Sequence, residues 1–170
     1  LNHGKVPFFE PGLEDLLQQE QAKGHLTFTI EYAEAISDAD VVFVAVGTPS
    51  APDGNADVRY VKMAIESAAP HLKEGAIVAI KSTVPPGTFE EIQPLIAAKT
   101  SKHVVLASLP EFLREGSAVQ DTLHPDRVVI GCDDLAAREI LRELHAPLLA
   151  PVVFTKPQSA QMGKYAANAY

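Results

Sequence analysis

Short apolar runs alternate with longer stretches of helical periodicity along this chain of 170 residues. The clearest run covers residues 41–46, where every position is apolar, as is typical of a strand that is covered on both faces. Four further runs predict strands at residues 76–80, 104–107, 128–130 and 152–154. Residues 26–29 predict one more short strand, nearer the edge of a sheet.

Apolar positions spaced three and four residues apart predict helices between these strands. In the stretch 57–72 such positions form one face: Val58, Val61, Ile65, Ala68 and Leu72. Asp57 is of a residue type that caps helix N-termini. The same spacing predicts a helix from Leu13 to Gly24, one after Asp134, and one from Gln158 to Tyr170.

This alternation predicts an α/β fold with a doubly wound, mostly parallel sheet. We expect residues 1–155 to form part of a Rossmann-like domain and residues 156–170 to begin a linking helix. A dinucleotide-binding fold opens with a strand, a Gly-rich turn and a helix whose N-terminus receives the pyrophosphate. No two of the ten glycines are spaced as G-x-G. The domain is therefore expected to be incomplete.

Composition narrows the range of functions. The net charge of −8 argues against nucleic acid or an anionic membrane as the main partner. No apolar run approaches the roughly 20 residues that span a bilayer. A single cysteine excludes an internal disulfide framework and a cysteine-based zinc cluster, and the six histidines show no ligand-like spacing. We expect a cytoplasmic protein without a bound metal.

Six segments, in this order, resemble the UDP-glucose/GDP-mannose dehydrogenase family over nearly the whole chain. They are Pro-Phe-Phe-Glu-Pro-Gly-Leu at 7–13, Val-Gly-Thr-Pro at 46–49, Lys-Ser-Thr-Val-Pro-Pro-Gly-Thr at 81–88, Pro-Glu-Phe-Leu-Arg-Glu-Gly at 110–116, His-Pro-Asp-Arg-Val-Val-Ile-Gly at 124–131 and Lys-Tyr-Ala-Ala-Asn-Ala at 164–169. Segments 46–49 and 81–83 look more like the family's UDP-glucose enzymes than its other branches. Leu109 departs from the family, which usually has Asn before Pro-Glu-Phe.

The resemblance implies a two-step oxidation. The C6 alcohol of a nucleotide sugar, most simply UDP-glucose, becomes a carboxylate through two hydride transfers to two NAD⁺, and the aldehyde stage is held on a cysteine. The resemblance also implies a homodimer. It places the Gly-rich turn before this stretch of sequence and the catalytic cysteine after it, so we expect the 170 residues alone to be inactive.

Thr48 and Thr83 each follow an apolar strand, which places them at the carboxyl ends of strands, where open α/β sheets bind ligands. The alternative is that each satisfies local backbone groups in a turn. The resemblance implies NAD contacts from Val46, Gly47, Thr48, Thr83 and Glu115, and it includes Thr83 among the catalytic residues.

Glu111 and Glu115 are four residues apart with Arg114 between them, a spacing that would place both carboxylates on one face of a helix. The alternative is a solvated acidic turn paired with Arg114. The resemblance implies that Glu111 is an acid/base in thioester hydrolysis. It also implies that Glu111 and the backbone of Phe112 and Leu113 contact the substrate.

Lys164 and Asn168 are also four residues apart, on the last predicted helix. A lone lysine among small residues is commonly a surface charge. The resemblance instead implies that Lys164 and Asn168 bind the substrate at C6 and stabilise its developing alkoxide, as a cation and an amide donor can.

Cys132 is predicted to be structural. It ends a strand and precedes Asp133 and Asp134, whose charges would raise the pKa of a thiol. Two other interpretations of the whole chain stay open. One is a relative that acts on GDP-mannose or UDP-N-acetylmannosamine, and the other is a non-catalytic α/β module for protein association.

Overall fold

A computed structural model describes residues 4–51 and 54–169. Within these ranges five strands form one sheet in the order β1-β2-β3-β4-β5. Their bounds are β1 (Val41–Val44), β2 (Ile77–Ile80), β3 (Val105–Ser108), β4 (Val128–Gly131) and β5 (Val152–Thr155). Each arises from one of the five predicted apolar runs at 41–46, 76–80, 104–107, 128–130 and 152–154. The α/β class and the mostly parallel sheet are confirmed.

Strand direction changes once across the sheet. β1, β2 and β3 are parallel, and β4 is parallel to β5, but β3 and β4 are antiparallel and pair only at Ser108 and Gly131. Parallel neighbours need a crossover that returns the chain to the opposite edge of the sheet. After β3 the chain passes through α5 and re-enters the sheet at the same end at which it left.

Seven α-helices lie within the described ranges. They are α1 (Leu13–Ala22), α2 (Tyr32–Ile36), α3 (Arg59–Ala68), α4 (Thr88–Ala97), α5 (Ala118–Leu123), α6 (Leu135–His145) and α7 (Pro157–Ala169). The predictions of α1, α3, α6 and α7 are confirmed, although Tyr170, the predicted end of α7, lies outside the described residues. The sequence did not predict α4, because this helix contains Pro94 and proline normally interrupts a helix.

Two details of the predicted elements need correction. Residues 26–29 form no strand. A strand requires a neighbour that accepts its backbone hydrogen bonds, and apolar alternation cannot supply one. At α3 the cap position belongs to Val58, but the Asp57 carboxylate still accepts a hydrogen bond from the Arg59 amide at 3.0 Å. The prediction of Asp57 as the N-cap is therefore wrong by one residue, although its carboxylate still binds an amide of the first helical turn.

Helices cover both faces of the sheet. On one face Val78 and Ile80 of β2 pack with α3 and α4, in a cluster that also includes Val61, Ile65 and Ile92. On the other face Ile77 and Ala79 of β2 pack with α6, in a cluster that also includes Ala107, Ile130 and Leu141. Each fully buried aliphatic side chain contributes roughly 1.5–3 kcal/mol. This double burial explains why β2 is apolar throughout.

Helix α7 packs against β4 and β3 at very short range. A Cβ added to Gly131 in β4 would lie 2.7 Å from Ala160 Cβ and 2.8 Å from Pro157 Cα, so only glycine allows this approach. The contact fixes the height of α7 above the sheet. No helix in ranges 4–51 and 54–169 is both long and apolar enough to cross a membrane.

Candidate functional site

The turns that follow β1 and β2 lie side by side at the carboxyl edge of the sheet. The Ser82 hydroxyl accepts a hydrogen bond from the Val46 amide at 2.9 Å and donates to the Val46 carbonyl at 2.7 Å. The amide of Lys81 also donates to the Val44 carbonyl, at 2.9 Å. Four of the five predicted cofactor residues, Val46, Gly47, Thr48 and Thr83, therefore belong to two adjoining turns.

These turns have groups that suit part of a dinucleotide site. Thr48 and Thr83 are half-buried, Gly47 is exposed, and an added Cβ at Gly47 would meet no atom within 4 Å. Hydroxyls and accessible backbone at a carboxyl edge are the groups that such a cofactor needs. The residues present therefore fit NAD, with Val46, Gly47, Thr48 and Thr83 as the groups that would hold it.

An ion pair joins helix α7 to the loop that follows β3. Lys164 Nζ lies 3.0 Å from Glu111 Oε1, and the side chains are 8% and 28% exposed, respectively. The other carboxylate oxygen of Glu111 accepts a hydrogen bond from the Leu113 amide at 2.6 Å. Lys164 Nζ also lies 5.6 Å from the centroid of the Phe112 ring. Four predicted site residues are thus in one cluster.

The surroundings of this cluster shift two pKa values. Burial raises the pKa of Glu111, but the Leu113 amide, Lys164 and Lys81 together outweigh burial and hold it below the ordinary value of 4.5. Burial also lowers the pKa of Lys81, against the opposing effect of Glu111. Glu111 is therefore favoured as a carboxylate, and the two lysines outnumber it. Such a cluster is suited to an incoming oxyanion.

A cleft of about 550 Å³ opens beside the cluster. Its lining includes Lys81, Glu111, Phe112 and Arg127, and the Arg127 guanidinium lies 5.8 Å from the centroid of the Phe112 ring. This volume is in the range of small-molecule sites, which is roughly 300–1,000 Å³. The cleft can therefore receive a ligand of the size of a sugar nucleotide.

Two predicted site residues belong neither to the two turns nor to the buried cluster. Asn168 and Glu115 are exposed. Residues 109–117 contain no helix, so Glu111 and Glu115 do not share a helical face. Arg114 pairs with neither of them, because the Asp121 carboxylate binds its guanidinium at 2.7 Å. Both geometric interpretations of this acidic segment, the helix and the turn paired through Arg114, are wrong.

Cys132 lies buried at the end of β4, apart from this cluster. Its thiol donates to the Asp134 carbonyl at 3.6 Å, and burial is the main cause that raises its pKa. Its surroundings are those of a structural cysteine. Among the described residues, no three side chains of His, Cys, Asp or Glu converge as a metal site would require.

Sequence reasoning missed three residues that organise this region: Ser82, Lys81 and Glu10. Each lies within a segment that carries the family resemblance, so a signal existed. Their contacts, however, reach residues 30 or more positions away in the sequence. Only the fold could reveal them.

Comparison with known proteins shows which proteins this chain is similar to. Residues 1–149 match the UDP-glucose/GDP-mannose dehydrogenase family, NAD binding domain. The whole chain aligns with the UDP-glucose 6-dehydrogenase of Pseudomonas aeruginosa at 44% identity, covering 39% of that protein. It aligns equally with TuaD of Bacillus subtilis, at 44% identity and 37% coverage.

Solved structures of the same family are similar to this chain over nearly its whole length. A UDP-glucose dehydrogenase from the archaeon Pyrobaculum islandicum superposes with a TM-score of 0.93 at 41% identity, over 98% of this chain and 40% of that one. A GDP-mannose dehydrogenase from Pseudomonas aeruginosa, in a ternary complex, also gives 0.93, at 36% identity over 99% of this chain and 40% of that one. The chain spans about two fifths of the length of these relatives. It belongs to the UDP-glucose/GDP-mannose dehydrogenase family and contains sequence of that family's NAD-binding domain.

Proposed function

We propose that the protein to which this chain belongs is an NAD-dependent dehydrogenase that oxidises the C6 alcohol of UDP-glucose to a carboxylate in two hydride transfers. The observation that carries the proposal is the pair of Lys164 and Glu111, 3.0 Å apart beside the cleft. The 44% identity to UDP-glucose 6-dehydrogenases over the whole chain supports UDP-glucose as the substrate.

NAD⁺, when bound, accepts hydride from the sugar carbon. Val46, Gly47, Thr48 and Thr83 would hold it at the carboxyl edge of the sheet, and Glu115 would approach it from the loop after β3. Thr83, next to Ser82, would also orient the reacting alcohol. The hydrogen bonds of Ser82 keep the two turns in register, so that the cofactor meets a preformed surface.

The remaining site residues would bind and activate the sugar. The backbone of Phe112 and Leu113 would contact the sugar nucleotide. Lys164 and Asn168 would stabilise the alkoxide that develops at C6, a charge that only the transition state carries in full. Glu111, whose pKa lies below its ordinary value, would be ionised at neutral pH and able to accept a proton from the hydrolytic water.

Helix α7 would extend into a linking helix that joins this domain, ending near residue 155, to the rest of a cytoplasmic homodimer. Support comes from α7, which buries the polar residues Lys164 and Gln161 yet leaves the apolar Met162 56% exposed. Light scattering on the full-length protein gives the oligomeric state directly, and a monomer at micromolar concentration would contradict the dimer.

One alternative substrate has support of its own. The structural similarity to a GDP-mannose dehydrogenase is as high as that to a UDP-glucose enzyme, with TM-scores of 0.93 for both. Initial rates of NADH formation by the full-length protein with UDP-glucose, GDP-mannose and UDP-N-acetylmannosamine separate the candidates. Turnover with GDP-mannose alone would replace the proposed substrate.

Lys164→Ala in the full-length protein tests the proposed role most directly. Loss of one oxyanion donor costs about 10²–10³ in turnover, or roughly 3–4 kcal/mol, and should leave UDP-glucose affinity mostly intact. Turnover and binding are to be measured separately, with a thermal melt to check folding. Lys164→Arg keeps a positive charge that can still pair with Glu111, so it tests whether a cation at this position is sufficient or the ammonium geometry is required.

The matched control is Lys99→Ala, which removes an exposed lysine after α4. It should change turnover very little, since surface substitutions alter stability by about 0.5 kcal/mol or less. Normal turnover in a folded Lys164→Ala variant would refute the catalytic role. Weakened binding with normal turnover would make Lys164 a phosphate or sugar contact instead.

A further inference from the structure

Glu10 is a buried carboxylate in an exposed segment. Glu10 is 9% exposed, whereas its neighbours Phe8 and Phe9 are 63% and 89% exposed. Burial of a charged group is costly unless hydrogen bonds replace its water. The partners of Glu10 therefore explain its position.

The two carboxylate oxygens of Glu10 bind one backbone amide near the end of the loop that follows β3 and one in the first turn of α5. Oε2 accepts from the Gly116 amide at 3.0 Å and Oε1 from the Val119 amide at 3.4 Å. Ser117 occupies the N-cap position of α5 but makes no side-chain capping bond, because its hydroxyl turns to Asp121 at 3.2 Å. Glu10 thus supplies an acceptor that the cap residue does not.

The tether comes from a part of the chain that is itself anchored. The backbone carbonyl of Glu10 accepts from the Leu13 amide at 3.1 Å, where α1 begins, and Leu17 of α1 is buried. By contrast, the bonds of Leu113 to Glu111 and of Arg114 to Asp121 are local to the segment. Local bonds shape a loop, but a bond to a distant element holds it in place relative to the rest of the fold.

We infer that Glu10 is a positioning residue that holds residues 109–117, and with them Glu111 and the backbone of Phe112, in place against Lys164. Lys164 forms an ion pair with Glu111, near the start of this loop, and Glu10 accepts a hydrogen bond from the amide of Gly116, near the end of the loop. Release of the Glu10 end frees the loop to move away from the cleft. The kinetic consequence rests on the proposed function, whereas the contact itself does not.

The test compares Glu10→Ala and Glu10→Gln with the wild-type full-length protein. Glutamine keeps the size and one acceptor oxygen, so it should have the smaller effect and remains informative if the alanine variant does not fold. The matched control is Glu14→Gln, one helical turn later in α1, where the side chain is exposed. It should behave as wild type.

Two measurements are needed. Amide hydrogen exchange of peptides that cover residues 110–119 should rise about tenfold in Glu10→Ala, because local opening sets the exchange rate. Peptides that cover β4 and α6 should not change. kcat/KM for the nucleotide sugar should fall about tenfold, mainly through a higher KM. Loss of one hydrogen bond to a charged group such as the Glu10 carboxylate is enough to change an equilibrium constant by about tenfold or more.

The outcomes separate the two proposals. Faster exchange confined to residues 110–119, with a raised KM, supports the inference. Unchanged exchange and kinetics in both variants overturn it, and so does a uniform rise in exchange with a lowered melting temperature, which would indicate a general structural role. If the wild type oxidises no nucleotide sugar, the proposed function fails, and exchange alone decides whether Glu10 holds the loop.

Discussion

Carboxylates near the candidate site differ in how strongly their partners hold them ionised. Asp121 accepts two bonds from the Arg114 side chain and one from its amide, which hold its pKa at about 2 rather than the ordinary 3.8. The pKa of Glu111 is also shifted downward, although burial opposes the shift. Both are therefore charged at neutral pH, but their roles differ: Asp121 shapes the loop, and Glu111 faces the cleft.

The Asp121 shift predicts a dependence of stability on pH. A depressed pKa in the folded state stabilises the protein fully above the ordinary value of 3.8, and this contribution is lost as the pH falls towards 2. Asp121→Asn should therefore lower the melting temperature at pH 7. The difference from wild type should shrink between about pH 4 and pH 2, as thermal melts across this range would measure.

The control for that series is Asp38→Asn, which changes an exposed aspartate between α2 and β1. It should track the wild-type curve at every pH. A difference for Asp121→Asn that stays constant down to pH 2 would mean that packing, and not the charge of Asp121, stabilises the loop.

Cys132 gives a second prediction at this scale. Because it is buried, hydrogen-bonded to the Asp134 carbonyl and outside the cluster of Lys164 and Glu111, Cys132→Ser in the full-length protein should leave turnover nearly unchanged. Cys132→Ala controls for the effect of a buried hydroxyl. A fall of about 100-fold in turnover with the fold intact, roughly 2.7 kcal/mol of barrier, would identify it as a nucleophile.

At the scale of elements, the site depends on how closely α7 approaches the sheet. Gly131 permits the contact with Ala160 and Pro157, and Lys164 lies one turn further along α7. The link that contains α5 also returns the chain so that β4 is antiparallel to β3. Two unusual features, a glycine contact and one antiparallel pair, thus place Lys164 opposite Glu111.

Gly131→Ala should test this dependence. Its methyl group would lie within 3 Å of two atoms of α7, and such overpacking typically costs about 1–3 kcal/mol. Denaturant unfolding would measure this loss, and turnover should fall with it as Lys164 moves from Glu111. Gly163→Ala is the matched control within α7, because its added Cβ would meet no atom within 4 Å.

Gly131→Ala and Gly163→Ala should change the free energy of unfolding in opposite directions. Alanine in place of a helical glycine stabilises by about 0.5–1 kcal/mol when space is available. If Gly131→Ala unfolds at the same denaturant concentration as wild type, α7 can move without cost and the close contact does not fix its position.

At the scale of the whole molecule, the chain carries some of the groups that the proposed reaction needs. It contains the pair of Lys164 and Glu111, but no two of its ten glycines have the G-x-G spacing. It covers about two fifths of the length of its relatives. The 170 residues alone should therefore give no NAD⁺ reduction with UDP-glucose. The full-length protein in the same assay is the positive control. Turnover above a protein-free blank that Lys164→Ala abolishes would contradict this expectation.

The sequence by itself determined the α/β class, five strands and four of the helices. Burial on both faces leaves no polar position in β2, and burial on one face leaves the helical spacing of α3, so both signals are local. The run 41–46, expected to be covered on both faces, instead forms the edge strand β1, where Phe43 is 45% exposed. The order of the six motifs likewise indicated the family. Each of these signals depends on neighbours within a few residues, which a sequence displays directly.

Tertiary structure decided what depends on distant residues. Residues 26–29 lack a partner strand, β4 reverses direction, and Glu111 binds Lys164 instead of sharing a helical face with Glu115. Likewise the tether from Glu10 joins amides more than 100 residues away. A hydrogen bond or ion pair is made between whichever groups the packed fold brings within about 3 Å. Sequence spacing carries no record of that distance.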